Sequence, residues 1–548
     1  MQYNNNLIEI GENDVKLKWP TPSIPTNTKS LTLDPNERDY LPLILNARVY
    51  DVCEQTPLFY ARKLSSRLGN TIYVKREDLQ PVFSFKCRGG FNKMFHLTKE
   101  EKAKGVCCAS AGNHAQGVAL AAQKLGIKAR IVMPIFAPEI KVENVRRLGA
   151  EVVLFGNSFD EAKKECLRII KEENLVFVPP FDDPLVIAGQ GTVGMEILNQ
   201  IRQTRLDAIF VCCGGGGLLA GIAAYVKRVR PEVKIIGVNT VDSDGMYQSL
   251  LAGKAMEIPH AGLFSDGTSV KLVGSECFRI CNKYVDDMIL VTNDEICAAI
   301  KDGYDETRCL FEPAGALGLA GLKKYLNQNP SMKNGVFVAV ASGANMNFDR
   351  LRFVAERAAM GEGREALFSV KMPEKCGSLN TLLQYLEKNA ITEVAYRYST
   401  KAPAHVFLGF LNTIEYSAVS VLEKINKASE FKAIDITKND MASMHVRYMS
   451  GGRNPVALED EVLLRFRLPE IPSALPKSIE LLTADCNITL IHYRNHGADF
   501  GRVLLGFQVM KGIEVDTYKS KYIHDLEKLG CVQIFDETTN EVYDHFFK

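Results

Sequence analysis

Lys86 is the residue of the sequence with the clearest chemical potential, because it lies in the stretch PVFSFKCRGG between two phenylalanines and a pair of glycines. A lysine amine can be a solvated surface charge, a phosphate contact or a nucleophile that forms an imine. Phe83 and Phe85, together with the start of a predicted helix, would partly remove the amine from water and lower its pKa. The neighbouring motifs decide between these three alternatives.

A run of four glycines, Gly214 to Gly217, lies in CGGGGLLAG, between an apolar run that predicts a strand and a stretch that predicts a helix. A tight turn needs one or two glycines, whereas four allow several backbone N–H groups to converge on a phosphate at the positive end of a helix. The run matches neither the GxGxxG fingerprint nor the P-loop pattern, so a nucleotide is the weaker choice. We therefore expect phosphate binding here.

Two further polar motifs each follow an apolar run. The motif ASAGNHAQG lies at a predicted helix N-terminus, where an anion such as a substrate carboxylate could bind. Taken singly, its serine would be a helix cap and its histidine a structural residue. The motif ASGAN leaves a serine at the end of a third apolar run. The candidate residues in these two motifs are Ser110, Gly112, Asn113, His114 and Ser342.

The elements that must position these residues lie between about residues 45 and 350. Short apolar runs such as VCCAS, ARIVMP, AIFVCCGGGG, KIIGVNT and GVFVAVASGAN alternate there with helical stretches. Strands that are apolar on both faces and alternate with helices predict a largely parallel sheet covered on both sides. Ligands of such sheets bind at the carboxyl ends of the strands, which is where the polar motifs fall.

The sequence beyond about residue 365 contains an internal repeat. EALFSVKMPEKCGSLNTLLQYL from Glu365 matches EVLLRFRLPEIPSALPKSIELL from Glu461, and YRYSTKAPAHVFLGF from Tyr396 matches YRNHGADFGRVLLGF from Tyr493, at a shift of 96 to 97 residues. Each copy reads strand, loop, amphipathic helix, strand, strand, helix. This order predicts two ferredoxin-like βαββαβ modules.

Composition disfavours several classes of function. The formal net charge of +1 gives no long-range field that would attract nucleic acid, and no apolar run is long enough to span a bilayer. The first residues do not resemble a secretory or transit signal, so we expect a cytoplasmic protein. The fourteen cysteines include adjacent pairs inside apolar runs, which indicates buried reduced thiols. No cysteine spacing predicts a zinc site.

An amine nucleophile, a phosphate-binding loop and a distant neutral hydroxyl together suit pyridoxal 5'-phosphate. The motifs SFKCRGG, ASAGNHAQG, CGGGGLLAG and FEPAGALGLAGLKKY resemble those of the fold type II pyridoxal-phosphate enzymes, whose catalytic domain is tryptophan synthase β-like, over residues 45 to 355. Within that group the chain is most similar to the biosynthetic threonine dehydratases, also called threonine deaminases or threonine ammonia-lyases. The repeated tail resembles their two regulatory ACT-like modules.

The resemblance implies roles for the residues of these motifs. Lys86 would form the imine with the cofactor, Asn113 would contact the cofactor's 3-hydroxyl, and Ser342 would face the pyridine nitrogen. The phosphate would be held by Gly214, Gly215, Gly216, Gly217 and Leu218. The reaction implied is the β-elimination of L-threonine, with L-serine as a second substrate, to a 2-oxo acid and ammonia. For L-threonine the product is 2-oxobutanoate.

Three departures from relatives refine this expectation. Ala111 stands where serine racemases have a serine that acts as the second proton carrier, so racemisation is disfavoured. Asn239 and Gly245 stand where acidic ligands of a divalent ion are expected, so we predict no divalent metal. Cys87 and Gly90 replace larger apolar residues and alanine, which we interpret as changes in packing.

The tail is expected to control the catalytic domain. By resemblance it would bind L-isoleucine as an inhibitor, with L-valine opposing it, and the enzyme would be a homotetramer. Arg397 and Arg494 are matched across the repeat and could each hold an effector carboxylate, or be solvated strand charges. The loop PEKCGSL becomes PEIPSAL in the second copy, which puts equal ligand binding by the two modules in doubt. The alternative role of the tail is a dimerisation module or scaffold.

Three other functions remain as alternatives. A catabolic serine/threonine dehydratase usually lacks a doubled tail. A catalytically silent amino-acid sensor would not need Lys86, the glycine run and Ser342 together. A sugar- or nucleotide-binding protein ranks lowest because neither nucleotide fingerprint is present. The predicted organisation is an N-terminal arm (1–40), a catalytic domain (41–355), a linker (356–364) and two regulatory modules (365–445 and 460–540).

Overall fold

The computed structural model describes residues 37–548, apart from residues 136, 138, 202–204, 387, 399–403, 414, 440–441, 443–445, 448–457, 459, 470–473, 483–485, 495–499, 511 and 541–548. Most of the predicted N-terminal arm (1–36 of 1–40) and most of the loop PEIPSAL lie outside the described residues. The chain divides into two compact units, one that ends at Val354 and one that begins at Ala355.

Among its described residues, the first unit contains ten strands in two sheets. The strands are β1 (Leu58–Tyr60), β2 (Thr71–Arg76), β3 (Val106–Ala109), β4 (Ala129–Met133), β5 (Glu151–Leu154), β6 (Val176–Phe177), β7 (Ala208–Cys212), β8 (Lys234–Thr240), β9 (Asp287–Val291) and β10 (Val336–Ala341). The larger sheet has the order β1-β2-β10-β7-β8-β9 and is parallel except for β1. The smaller sheet, β5-β4-β3-β6, is parallel throughout.

Thirteen named α-helices of the first unit connect and cover these strands. They are α1 (Tyr40–Leu45), α2 (Arg62–Leu68), α3 (Lys86–Phe95), α4 (Lys99–Lys104), α5 (Asn113–Leu125), α6 (Glu139–Arg147), α7 (Phe159–Glu173), α8 (Pro184–Gln200), α9 (Gly217–Val229), α10 (Gly245–Ala252), α11 (Ser275–Tyr284), α12 (Asn293–Thr307) and α13 (Pro313–Gln328). A further helix, α14 (Leu351–Gly361), runs across the boundary between the units. Among the described residues, no helix is both long and apolar enough to cross a membrane.

The five apolar runs that the sequence assigned to strands form β3, β4, β7, β8 and β10. Every residue of β7 and β10 is buried, which is the pattern of a parallel strand covered by helices on both faces. The predicted parallel α/β architecture is therefore confirmed.

A cluster of buried charges fixes α3, the helix that carries Lys86. Arg88 Nε lies 2.7 Å from Glu77 Oε2 and its Nη1 lies 2.5 Å from Glu196 Oε1. Lys75 Nζ donates to Glu196 Oε2 at 2.6 Å, and all four side chains are at most 1% exposed. Removing one member would leave an uncompensated buried charge, so the cluster holds α3 firmly against β2 and α8.

The second unit repeats one βαββαβ pattern. The first copy is β11 (Glu365–Met372), α15 (Ser378–Gln384), β12 (Ile391–Arg397), β13 (Ala404–Leu411), α16 (Ala418–Lys427) and β14 (Lys432–Asp435). The second is β15 (Glu461–Pro469), α17 (Ala474–Glu480), β16 (Cys486–Arg494), β17 (Phe500–Val509), α18 (Val515–Lys528) and β18 (Val532–Asp536). The predicted order of elements is confirmed in both copies.

The two copies share one antiparallel sheet of eight strands, with the order β14-β11-β13-β12-β16-β17-β15-β18. The strands β12 and β16 pair across the junction, with Ala395 opposite His492. The largest apolar cluster of this unit, which includes Phe368, Phe410 and Phe507, contains residues of both copies. The copies therefore share one sheet and one main core.

Candidate active site

Lys86 is the first residue of α3, and its Nζ donates a hydrogen bond to the carbonyl oxygen of Pro180 at 2.7 Å. Burial lowers the pKa of the amine to about 8, although the nearby acidic groups, Glu312 among them, act in the opposite direction. The segment before Lys86 pairs with the end of β10, since Phe85 N donates to Ser342 O at 3.2 Å. Lys86 therefore has the environment of a nucleophilic amine.

The glycine run connects the end of β7 to α9. Gly216 is the N-cap of α9 and adopts φ 100°, a conformation that favours glycine. The first N–H groups of α9, those of Gly217 and Leu218 among them, have no carbonyl partner within the helix. A Cβ placed on Gly214 would lie only 2.9 Å from Thr268 Cα, so this loop is closely packed as well as sharply turned. The loop and the helix end together have the N–H groups and the helix dipole that could bind an anion.

The residues Ser110 to His114 lie at the start of α5, after β3. Gly112 is the N-cap, and its N–H donates to Ser110 Oγ at 3.3 Å. The His114 side chain is buried, and its Nε2 donates to the carbonyl oxygen of Val178 at 2.8 Å. Burial lowers the pKa of this imidazole to about 3, so the ring is neutral. The ring is held by the protein backbone, and only the backbone N–H of His114 faces the helix N-terminus where we predicted a substrate carboxylate.

Asn113 is held by side chains from two other elements. Its Nδ2 donates to Glu312 Oε1 at 2.6 Å, and its Oδ1 accepts a hydrogen bond from Asn345 Nδ2 at 2.7 Å. Glu312 is buried, and burial raises the pKa of its carboxyl to about 7. Glu312 and Asn345 were not among the residues predicted from the sequence. The signal that was available is an acidic residue before a proline in the motif FEPAGALG, and an asparagine at the end of ASGAN.

Ser342 follows β10 and is 2% exposed. Its Oγ donates to the carbonyl oxygen of Ala314 at 3.3 Å. Burial raises the pKa of the neighbouring Cys212 thiol, and the Ser342 hydroxyl acts in the opposite direction. Ser342 thus presents a neutral hydroxyl at the carboxyl edge of the larger sheet, in line with the prediction from the sequence.

The residues present fit pyridoxal 5'-phosphate. A largely buried amine with a lowered pKa can hold an aldehyde, and the N-terminus of α9 can hold a phosphate. Asn113 and Ser342 supply neutral polar groups in addition. Such a set of groups binds a small phosphorylated aldehyde better than a nucleotide.

Comparison with known proteins agrees with this geometry. Residues 49–343 match the family of pyridoxal-phosphate dependent enzymes, and residues 356–446 and 452–547 each match the C-terminal regulatory domain of threonine dehydratase. The chain is 51% identical over 474 residues to the biosynthetic L-threonine dehydratase IlvA of Burkholderia multivorans, across 86% of this chain and 93% of that protein. The chain belongs to the threonine dehydratase family.

Other members of the family show similar coverage. The mitochondrial threonine dehydratase of Saccharomyces cerevisiae is 46% identical over 526 residues, which span 94% of this chain and 90% of the yeast protein. The structure of the processed form of threonine deaminase isoform 2 from Solanum lycopersicum superimposes with a TM-score of 0.57 at 50% identity, over 58% of this chain and 92% of that one. These relatives identify the chain as a pyridoxal-phosphate dependent lyase with a regulatory tail.

The two arginines predicted in the tail are buried in ion pairs with carboxylates of the same unit. Arg397 pairs with Glu461 of the second copy, and Thr489 Oγ1 donates to the same carboxylate. Arg494 Nη2 lies 3.4 Å from Glu356 Oε1. The alternative of solvated strand charges is therefore wrong for both arginines. A contact between either arginine and an effector stays a prediction.

Proposed function

We propose that the chain catalyses the β-elimination of L-threonine to 2-oxobutanoate and ammonia and is feedback-inhibited by L-isoleucine. The observation that carries this proposal is the meeting of Lys86, the α9 N-terminus and Ser342 at one edge of the larger sheet, in a chain of the threonine dehydratase family. Pyridoxal 5'-phosphate, when bound, supplies an electron sink that stabilises negative charge at the substrate α-carbon.

Lys86 would have two tasks in this reaction. Its Nζ would hold the cofactor covalently and, once substrate has replaced it, would remove the proton from the substrate α-carbon. The lowered pKa of the amine suits both tasks, because a neutral amine is required as nucleophile and as base. While the amine is not bonded to the cofactor, it would donate a hydrogen bond to the Pro180 carbonyl oxygen.

The other groups would bind and orient. The backbone N–H groups from Gly214 to Leu218 would hold the cofactor phosphate, and those at the start of α5 would hold the substrate carboxylate. Asn113 would donate to the cofactor's phenolic oxygen. Ser342 Oγ would face the pyridine nitrogen without adding a fixed charge, which leaves the ring a weaker electron sink than an aspartate would create. β-Elimination tolerates this because the leaving hydroxyl relieves the charge at the α-carbon.

We further propose that the tail senses amino acids, with L-isoleucine as inhibitor and L-valine as its antagonist. Support comes from the two matches to the regulatory domain of threonine dehydratase. Control requires that the effector bind the active and inactive states with different affinities. A homotetrameric assembly, a cytoplasmic location and the use of L-serine as a second substrate are parts of the same proposal.

The chemical part of this proposal can be tested by trapping. Borohydride reduction of the cofactor-loaded enzyme should attach the cofactor permanently to one peptide, and mass spectrometry should locate it on Lys86. Rates of 2-oxo acid formation from L-threonine and L-serine should both be measurable, with neither amino acid racemised. Attachment at a different lysine, or racemisation without elimination, would contradict the assignment.

A further inference from the structure

The hydrogen-bond network around Asn113 fixes which end of its amide faces which neighbour. Asn345 Nδ2 donates to the backbone carbonyl of Val82 at 2.8 Å, and a carbonyl oxygen can only accept. This contact identifies the nitrogen of the Asn345 amide. The second hydrogen of that nitrogen points to Asn113, so the Asn113 atom that faces it must be an acceptor, the oxygen Oδ1. The distance from Asn345 Nδ2 to Asn113 Oδ1 is 2.7 Å.

The nitrogen of Asn113 is consequently turned to the opposite side, where Glu312 Oε1 accepts from it at 2.6 Å. A carboxyl group offers an acceptor oxygen whether or not it is protonated, so this contact is present on both sides of its pKa. An amide nitrogen carries two hydrogens, and Glu312 uses one of them. The second hydrogen is available to an acceptor in the site.

The position of Glu312 is itself constrained. Its backbone N–H donates to Gly343 O at 3.1 Å, and Pro313 begins α13 directly after it. A side chain at Gly343 would collide with the Glu312 carboxylate, so the close approach of these two segments depends on glycine at 343. Asn113, Glu312 and Asn345 come from three separate segments that follow β3, precede α13 and follow β10. Their contact is a property of the assembled fold.

We infer that Glu312 and Asn345 are positioning residues that hold the Asn113 amide in one orientation, so that its remaining N–H donates to the phenolic oxygen of the cofactor. The inference rests on the function proposed above. A donated hydrogen bond stabilises the anionic form of that oxygen relative to the protonated form. The orientation of one amide would thereby set the electronic state of the bound cofactor.

The test uses the absorption spectrum of the cofactor-loaded full-length protein. The cofactor with an anionic phenolic oxygen absorbs in the visible, and the form with a neutral phenol absorbs in the near ultraviolet. Glu312→Leu removes the acceptor and Asn345→Leu removes the donor, so each should lower the ratio of the visible to the near-ultraviolet band by roughly tenfold. Glu312→Gln keeps an acceptor oxygen of the same reach and should stay within about twofold of the wild type.

The possible outcomes separate the inference from the function on which it rests. A wild-type protein with no visible band and no borohydride attachment would remove the proposed function itself. A yellow wild type with unchanged band ratios in both leucine variants would overturn the inference. Lower cofactor occupancy in the leucine variants at a constant band ratio would also overturn it, because a merely structural role would change occupancy alone. An equal change in Glu312→Gln and Glu312→Leu would also overturn it. If a leucine variant does not fold, Asn345→Ala gives the same comparison.

Discussion

Burial shifts the pKa values of three titratable side chains in and around the candidate site. It lowers the pKa of Lys86 to about 8 and that of His114 to about 3, and it raises the pKa of Glu312 to about 7. Each shift favours the neutral form, as desolvation requires. At neutral pH the His114 imidazole is therefore neutral, whereas Lys86 and Glu312 each have a pKa within about one unit of neutrality and exist in both protonation states.

Cofactor incorporation should follow the titration of Lys86. Only the neutral amine attacks an aldehyde, so the rate of covalent incorporation into the cofactor-free protein should rise about tenfold per pH unit below pH 8 and level off above it. Stopped-flow absorbance after addition of pyridoxal 5'-phosphate measures this rate. A rate that continues to rise to about pH 10 would indicate a lysine with an ordinary pKa.

His114 should make the cofactor-free protein sensitive to acid. Its folded pKa of about 3 lies below the unfolded value of about 6.5, so its contribution to stability is complete above pH 6.5 and is lost as the pH falls toward 3. At about pH 5 the loss amounts to roughly 2 kcal/mol. Melting temperatures of wild type and His114→Gln should therefore converge between pH 7.5 and 5. Parallel curves would show that the imidazole is already protonated in the fold.

The sequence was informative about single residues and uninformative about their partners. Lys86 was identified because it lies between two phenylalanines and a pair of glycines, and Ser342 because it lies at the end of an apolar run. Glu312 and Asn345 were missed because their role depends on contact with Asn113, which is about 200 residues distant in the chain. Pairings of this length are decided by strand order, which the pattern of apolar residues does not contain.

At the scale of elements, the site is built from strand-to-helix turns. The turn from β3 to α5 directs a helix N-terminus to the carboxyl edge of the smaller sheet, and the turn from β7 to α9 directs one to the carboxyl edge of the larger sheet. Packing of α3 against α5 and α8 then positions Lys86. The buried charges on β2, α3 and α8 that hold α3 were not predicted, because isolated Lys, Arg and Glu residues usually indicate a solvated surface.

Gly216→Ala should weaken cofactor binding. Alanine at φ 100° is strained, and a Cβ there would lie 2.7 Å from Met246 Cε and 2.8 Å from Cys277 Cβ, so the loop must move away from the phosphate. We expect about a tenfold or greater increase in the cofactor Kd, measured by fluorescence titration. Gly126→Ala is the matched control, because Gly126 also has a positive φ of 66° but lies at the exposed end of α5 with no atom within 4 Å of the new Cβ. Equal effects of the two substitutions would contradict this account.

The tail contains a buried ion pair that depends on a glycine in the intervening strand. Arg397 on β12 reaches Glu461 on β15, and a Cβ on Gly506 of β17 would lie 2.9 Å from Thr489 Oγ1 and 3.2 Å from Glu461 Oε1. Glu365, the matching carboxylate of the first copy, pairs with a different arginine, Arg447, whose Nη2 lies 2.8 Å from Glu365 Oε1. The glycine of the repeated LGF motif therefore leaves room for a carboxylate on the sheet face.

Arg397→Leu should destabilise the tail strongly, because it leaves Glu461 buried without its cation. We expect the unfolding free energy to fall by about 3 kcal/mol or more. Urea denaturation measures this change. The control is Lys528→Leu, which removes an exposed cation 3.5 Å from Asp525 in the same unit and should cost less than about 1 kcal/mol. A small effect at position 397 would mean that the pair is not buried as described.

At the scale of the whole molecule, the chain joins a catalytic unit to a regulatory one. The repeat in the sequence was sufficient to predict two copies of one module. It did not predict that the two copies share a single sheet. The copies are joined by the pairing of β12 with β16, and similarity between two copies does not indicate which of their edge strands will pair. The shared sheet means that an effector bound to either copy acts on one continuous structure. We therefore expect inhibition to respond to substitutions in both copies.

The most direct test of the account is 2-oxobutanoate formation from L-threonine by the purified full-length protein, with and without L-isoleucine, beside the same assay on Lys86→Ala. We expect a yellow protein that forms 2-oxobutanoate and is inhibited by L-isoleucine, and we expect the rate to fall at least about a thousandfold in Lys86→Ala. Cofactor-loaded protein that turns over neither L-threonine nor L-serine would contradict the central claim. Turnover that L-isoleucine does not affect would contradict the proposed role of the tail.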